Sequence, residues 1–281
     1  MKIASYVKDG KPTFGLLTEA GLVTLGGLVP GVDSLRAALA ADALPRLAAL
    51  SQGAAPDAQL ADVTLLPPVP DPRRIWGMGL NYAAHAAETG REVTREAPVL
   101  FFRDAATVVA HGRPVLRPKV STHYDFEGEL AVIIGKGGRH IPVDRAMDHV
   151  AGYACFMDGS VRDYQKRSLP TGKNFESSGA FGPVMVTADE VPDPARLHLT
   201  TTLNGAVVQQ AGLEQLIHTI PDLIAYFSTI LSFEPGDVIA TGTPAGVGAA
   251  RTPPLWLKAG DVVQVEIPGV GQLENRVEDE G

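Results

Sequence analysis

Apolar and polar positions alternate most clearly over DFEGELAVIIG, residues 125–135. A period of two predicts a strand, with Asp125, Glu127 and Glu129 on one side and the run Leu130 to Ile134 leading into a core. Further strand-like runs are RRIWGMG, PVLFFR, AGYACFMD, FGPVMVT, LHLTTTLN, DVIATG and DVVQVEI, punctuated by Gly, Pro, Asn and Asp. Helical spacing shows at YAAHAAE, VDRAMDHV and IPDLIAYFSTIL, the last with Pro221 early, where proline is tolerated. Upstream, KIASYV and PTFGLLTEAGLVTL read as short strands, and residues 33–50 as an Ala- and Leu-rich helix interrupted at Pro45. LLPPVPDPRR, residues 65–74, holds four prolines in ten positions and reads as a stiff linker. The pattern predicts a small N-terminal α/β domain over 1–70 and a second domain over 71–281. The class is α+β, predominantly β: a folded β roll or barrel-like sheet decorated by a few helices.

Composition narrows the partners. The net charge of −8 argues against nucleic acid or an anionic membrane surface. The single cysteine, Cys155, excludes an internal disulfide and sits in an apolar run, as a packing residue would. The opening MKIASYVKDGK lacks the apolar segment of a signal peptide, and no apolar stretch approaches the ~18 residues of a membrane span. The expectation is a cytoplasmic protein.

The acids carry the first chemical signal. Glu127, Glu129 and a later Asp158, at the end of the apolar run HVAGYACFM, offer only oxygen ligands, the set hard cations such as Mg²⁺, Mn²⁺ or Ca²⁺ prefer. The competing reading is a solvated acidic edge. Asp125 faces the same way, as a support for the site or as a solvated side chain. In GMGLNYAAHAAETG, residues 77–90, Asn81 is a good N-cap and Gly90 a good helix end; between them His85 and Glu88 share a face. Such a pair is the logic of a general base, or an ordinary surface contact. Tyr82 at the third glycine position rules out a dinucleotide fingerprint. Arg162 and Gln165 follow Asp158 at helical spacing, and Lys173 stands in TGKNF as an anion binder or a solvated lysine. PGDVIATGTPAGVG, residues 235–248, is a strand entering a Gly-rich turn whose N–H groups, with the Thr243 hydroxyl, can hold a carboxylate, or it is a tight structural turn.

The ordered set NYAAHAAE, DFEGELAVIIG, GYACFMDGSVRDYQ, GKNF with GPVMVT, LNGAVVQ and PGDVIATGTPAGVG closely resembles the fumarylacetoacetate hydrolase superfamily, over residues 72–270. The leading 70 residues resemble the small N-terminal domain of many bacterial members, those of acylpyruvase or isomerase type. The resemblance implies a mixed β-roll, a homodimer, and a divalent metal, Mg²⁺ or Mn²⁺, on Glu127, Glu129 and Asp158. It implies His85 and Glu88 as a water-activating pair, Lys173 as a charge stabiliser, and Arg162, Gln165 and Thr243 as substrate contacts. The implied activity is hydrolysis of a C–C bond in a small anionic 1,3-dicarbonyl acid of the acylpyruvate type through an enolate held at the metal. The alternatives are oxaloacetate-type decarboxylation or hydroxymuconate-type isomerisation at the same site, and, in another class, a non-catalytic metabolite-binding protein. One departure stands out: Met157, Gly159, Ser160 and Val161 around Asp158 and Arg162 replace the family's usual Asn-Asp-Val/Ile-Ser/Thr-Ala-Arg pattern. Gly77 and Gly79 lead to the expectation that 77–90 is a mobile lid.

Overall fold

The computed structural model describes residues 1–91, 96 and 98–281. Strands β1 (Lys2–Lys8), β2 (Lys11–Thr18) and β3 (Gly21–Thr24) form a meander, followed by helices α1 (Leu35–Ala40) and α2 (Leu44–Leu50) and strand β4 (Thr64–Leu66). Pro45, read as an interruption, lies in the first turn of α2, where its missing N–H costs nothing. Then come β5 (Ile75–Gly79), α3 (Ala83–Glu88), β6 (Val99–Arg103), β7 (Val108–Val109), β8 (Val115–Arg117), β9 (Tyr124–Asp125), β10 (Gly128–Ile134), β11 (Val150–Met157) and β12 (Ser160–Val161). Short helices α4 (Arg162–Gln165) and α5 (Leu169–Lys173) precede β13 (Gly179–Thr187), β14 (His198–Leu203) and β15 (Ala206–Gly212). The chain closes with α6 (Ile220–Ile230), β16 (Val238–Ala240), β17 (Val262–Ile267) and β18 (Gly271–Asp279). The fold is α+β and mostly strand, as expected. VDRAMDHV winds as a 3₁₀ helix, Val143–His149, in place of an α-helix.

One sheet runs β3-β2-β1-β13-β11-β10-β16-β5-β6, with β4 on β1 and β7 on β13; a second runs β15-β14-β17-β18-β8. β10 explains the layering. All its side chains are buried, because both faces of the first sheet are covered. Leu130, Val132 and Ile134 join Leu199, Leu203, Val265 and Leu273 of the second sheet in one core. Ala131 and Ile133, with the opposite parity, join Leu35, Leu39 and Leu47 of the N-terminal helices in another.

The first 70 residues extend the same sheet, since β1 pairs with β13 in the register Ile3↔Met185. The proline-rich stretch expected as a linker is packed instead. Leu65 and Leu66 lie in β4 beside β1, Ser5 Oγ donates to Pro68 O at 2.7 Å, and Val69 is buried.

Candidate active site

Strand pairing brings the acids together. Glu127 precedes β10, Glu129 is in it, and Asp158 follows β11. The antiparallel register Gly128↔Met157 and a bond from Asp158 N–H to Glu127 O at 2.8 Å place the two loop ends side by side. One ligand oxygen each from Glu127, Glu129 and Asp158 lies within 4.8 Å of the others, and all three residues are buried. The solvated-edge reading therefore falls. Asp125 stands apart from the triad. Its carboxylate accepts from Arg162 Nε at 2.8 Å, Gly248 N–H at 2.7 Å and Ala249 N–H at 3.0 Å.

Three cations answer these four buried acids. Lys173 Nζ, buried where the competing reading had a solvated lysine, lies 2.6 Å from Glu127 Oε2 and 2.5 Å from Asp158 Oδ2. Arg162 Nη2 lies 2.7 Å from Glu127 Oε1. Arg103, which the sequence reading missed, pairs with Asp158 Oδ1 and also donates to Gly159 O, Thr107 and Ser178 Oγ. Arg162 Nη1 donates to Gln165 Oε1 at 3.0 Å across one turn of α4. Asp158 is outside that helix, because β12 intervenes.

Burial raises the Glu127 carboxyl, but Lys173, Arg162 and His85 outweigh it and hold it well below the usual range. Glu129 goes the other way: burial, then repulsion from Asp158 and Glu127, pushes it well above that range. Among the described residues its hydrogen-bond partner is the Gly242 N–H, at 2.8 Å. A buried carboxylate with no ion pair among the described residues, beside two others at ligand spacing, fits a divalent ion. Each carboxylate oxygen has two lone pairs, so the contacts to Lys173, Arg162 and Arg103 leave room for coordination.

The turn 241–249 ties the triad to the His–Glu pair. Gly242 N–H holds Glu129, Gly246 N–H donates to Glu88 Oε2 at 2.8 Å, and Gly248 and Ala249 hold Asp125. Glu88 Oε1 meets His85 Nδ1 at 2.7 Å, and His85 is only 4% exposed, which removes the surface-pair reading. The carboxylate accepts, so Nδ1 carries the hydrogen and Nε2 the lone pair. Thr243 lines the cleft and also serves the turn. Its hydroxyl donates to Gly128 O at 2.9 Å and accepts from Gln209 Nε2 at 2.7 Å, so its hydrogen is spent on the turn.

The 77–90 segment is docked. Gly77 lies inside β5 between β16 and β6, and a Cβ there would meet the Phe101 ring at 2.2 Å. The glycine makes room for Phe101, whose ring centre is 5.2 Å from Lys173 Nζ. Asn81 is not the N-cap. Its amide donates to His218 O and Thr241 O and accepts from His218 N–H, while Tyr82 occupies the cap position. Gly90 takes a left-handed φ of +67° just past the helix, as predicted. Residues 92–95 of the polar stretch that follows lie outside the described residues.

A cleft of about 390 Å³ opens over the site. Its walls include His85, Glu88, Glu127, Arg162, Gln165, Lys173 and Thr243, so seven of the nine residues singled out in the sequence share one cavity. Met78, Val99, Phe101, Leu169 and Val247 give it apolar surface, and Arg91 and Lys166 add two cations with no ion pair among the described residues. Cys155 is outside it, buried, with its thiol pushed up to about 12 by burial.

The sequence profile of the fumarylacetoacetate (FAA) hydrolase C-terminal family matches residues 74–278. The chain is 42% identical over 221 residues to the mitochondrial oxaloacetate tautomerase FAHD2A of Homo sapiens, covering 77% of this chain and 70% of that protein. It is 40% identical over 223 residues to the oxaloacetate tautomerase YisK of Bacillus subtilis, covering 78% and 74%. The structure of maleylpyruvate hydrolase from Sphingobium sp. SYK-6 with manganese(II) and pyruvate superposes over 100% of both chains, with a TM-score of 0.85 and 27% identity.

Proposed function

The chain belongs to the fumarylacetoacetate hydrolase family, and from that premise we propose that it is a divalent-metal-dependent tautomerase of a small 2-oxo diacid of the oxaloacetate type. The observation that carries the reading is the shared cleft: an oriented imidazole, an ammonium and the Glu127 carboxylate on the walls of one small cavity, with Glu129 and Asp158 buried at ligand spacing from Glu127. The names of the two tautomerase relatives favour this reading over the C–C hydrolysis expected from the sequence.

Glu127, Glu129 and Asp158 would hold Mg²⁺ or Mn²⁺, which supplies Lewis-acid polarisation of the substrate's 2-oxo group. His85 Nε2 takes the proton as the C3–H bond breaks, and the freed electron pair forms the C2=C3 bond. Glu88 holds the ring and stabilises its imidazolium form. Lys173 faces the negative charge that develops on the C2 oxygen, which then takes a proton to give the enol. The reverse path regenerates the ketone, with no water consumed. Arg162 and Gln165 line the wall where the C1 carboxylate would lie, and Arg91 and Lys166 suit a second carboxylate.

A second reading keeps water as nucleophile. The same His85–Glu88 pair can activate it, and the structural relative with pyruvate is a hydrolase. A panel of enol and keto oxaloacetate, acylpyruvates and hydroxymuconate-type acids separates the two. Accelerated loss of the enol absorbance at unchanged substrate mass is the expected outcome. Cleavage or decarboxylation products, with no acceleration of enol decay, would overturn the proposal.

A further inference from the structure

We propose that Gln209, the last residue of the LNGAVVQ run, is a positioning residue: from the second sheet it fixes the spacing of the triad and of the His85–Glu88 pair. The inference rests on the reading of Glu127, Glu129 and Asp158 as metal ligands.

Gln209 is 2% exposed and makes three hydrogen bonds with its amide. Its Oε1 accepts from Gly128 N–H at 2.9 Å, and its Nε2 donates to Thr243 Oγ1 at 2.7 Å and Pro244 O at 2.9 Å. Thr243 Oγ1 donates onward to Gly128 O at 2.9 Å. The ring closes on a single residue, Gly128, which is the residue between Glu127 and Glu129. Its peptide groups are therefore clamped on both sides by one glutamine and one threonine. The other end of the clamp is the turn whose N–H groups hold Glu129, Glu88 and Asp125. Gln209 thus grips the strand that bears the ligands and the turn that orients both ligand and base.

The strand is shaped for this. β15 pairs with β14 as Thr201↔Gln209 and then Thr202↔Val207, so Val208 is an extra residue in a β-bulge. A bulge re-aims the side chains beside it. Val207 is 59% exposed although it has the parity of buried Gln209, which an unbroken strand would not allow. The bulged residue is used as well. Val208 O accepts from Arg251 Nη2 at 2.7 Å, while Arg251 also donates to Gly246 O at 3.0 Å. The bulge therefore braces the turn twice, through Gln209 at Thr243 and Pro244 and through Arg251 at Gly246. Near Gly128 the packing leaves no slack, since a Cβ there would meet Thr201 Oγ1 at 2.0 Å.

Gln209→Glu keeps the size and the acceptor but removes both donors; Gln209→Ala removes all three bonds. Leu203→Ala, a core truncation on β14, serves as a control for general destabilisation. Mn²⁺ binding is read by titration calorimetry, and exchange of the Gly246 and Gly248 amides by NMR without metal. Loss of such an outer support weakens metal binding about 10–100-fold. Both Gln209 variants should show that loss together with faster exchange of both amides, while Leu203→Ala keeps wild-type Mn²⁺ affinity. Wild-type affinity and exchange in Gln209→Glu would overturn the role, as would equal losses in Leu203→Ala. If wild-type protein binds no Mn²⁺, the metal reading fails, and the amide exchange alone decides on Gln209.

Discussion

In the proposed tautomerisation His85 is the residue on which the chemistry turns. Its Nδ1 is committed to Glu88, so a single lone pair on Nε2 remains for proton transfer. His85→Ala should lower kcat for enol–keto conversion by about 10²–10⁴-fold with little change in KM, because imidazole binds no substrate group in the ground state. Steady-state kinetics at saturating Mn²⁺ check this; a variant within a few-fold of wild type would remove His85 from the role. Arg103 poses a different question, of stability. It and Asp158 are both fully buried as side chains, so Arg103→Met leaves Asp158 with Lys173 in place of two cationic partners. Breaking a buried pair from one side costs roughly 3–5 kcal/mol. Denaturant unfolding of chelated protein should show a loss of that order, and Mn²⁺ should restore part of it. Arg103 was hard to see because it is far upstream of Asp158 and at a strand end, where arginine is usually solvated. One signal was available: Arg103 shares strand parity with buried Phe101, whereas Phe102 faces out.

At the scale of elements, the turn 241–249 does more than its sequence advertised. Gly246 adopts φ +110° and a Cβ there would meet Val208 O at 2.1 Å, so neither the conformation nor the space admits a side chain. Gly246→Ala should shift the turn, loosen the Gly246–Glu88 bond and undock α3. Hydrogen exchange over residues 83–88 should rise, and kcat should fall as His85 loses its anchor. Unchanged protection of α3 would mean that Asn81 and the Tyr82↔Leu216 bridge suffice to hold it. The lid expected from Gly77 and Gly79 took glycine as freedom; in β5 it serves close packing against Phe101. Strand patterns were legible where apolar residues run nearly unbroken, as in β10, β11 and β13, which are buried on both faces. β18 went unread although Leu273, Asn275 and Val277 alternate inward, because polar Asn275 breaks the apolar series. The bulge in β15 was beyond pattern reading, since its register depends on β14.

For the whole molecule the decisive quantity is charge placed in the core. Asp125, Glu127, Glu129 and Asp158 are buried, and among the described residues Arg103, Arg162 and Lys173 pair with them, although the chain has ample surface for acids. Burial leaves this cluster little solvent to screen its charge, with Glu127 the acid that reaches the cleft. Folding alone leaves Glu129 pushed far above its usual range, which is a cost borne by the native state. A divalent ion that binds the folded triad and not the unfolded chain removes that cost and adds its own binding energy. At a free concentration about a hundred times its Kd, the stabilisation is about 2.7 kcal/mol. Spread over the unfolding entropy of a chain this long, it corresponds to a rise in Tm of roughly 5 °C. Thermal unfolding with chelator and with Mn²⁺ or Mg²⁺ measures it directly. Glu129→Gln supplies the internal check, because a neutral amide in the same place relieves the repulsion without metal. The variant should melt above wild type in chelator and gain much less from added Mn²⁺. Equal metal-induced shifts in wild type and Glu129→Gln would show that the ion binds elsewhere, and the triad would then have to be read as a structural charge cluster.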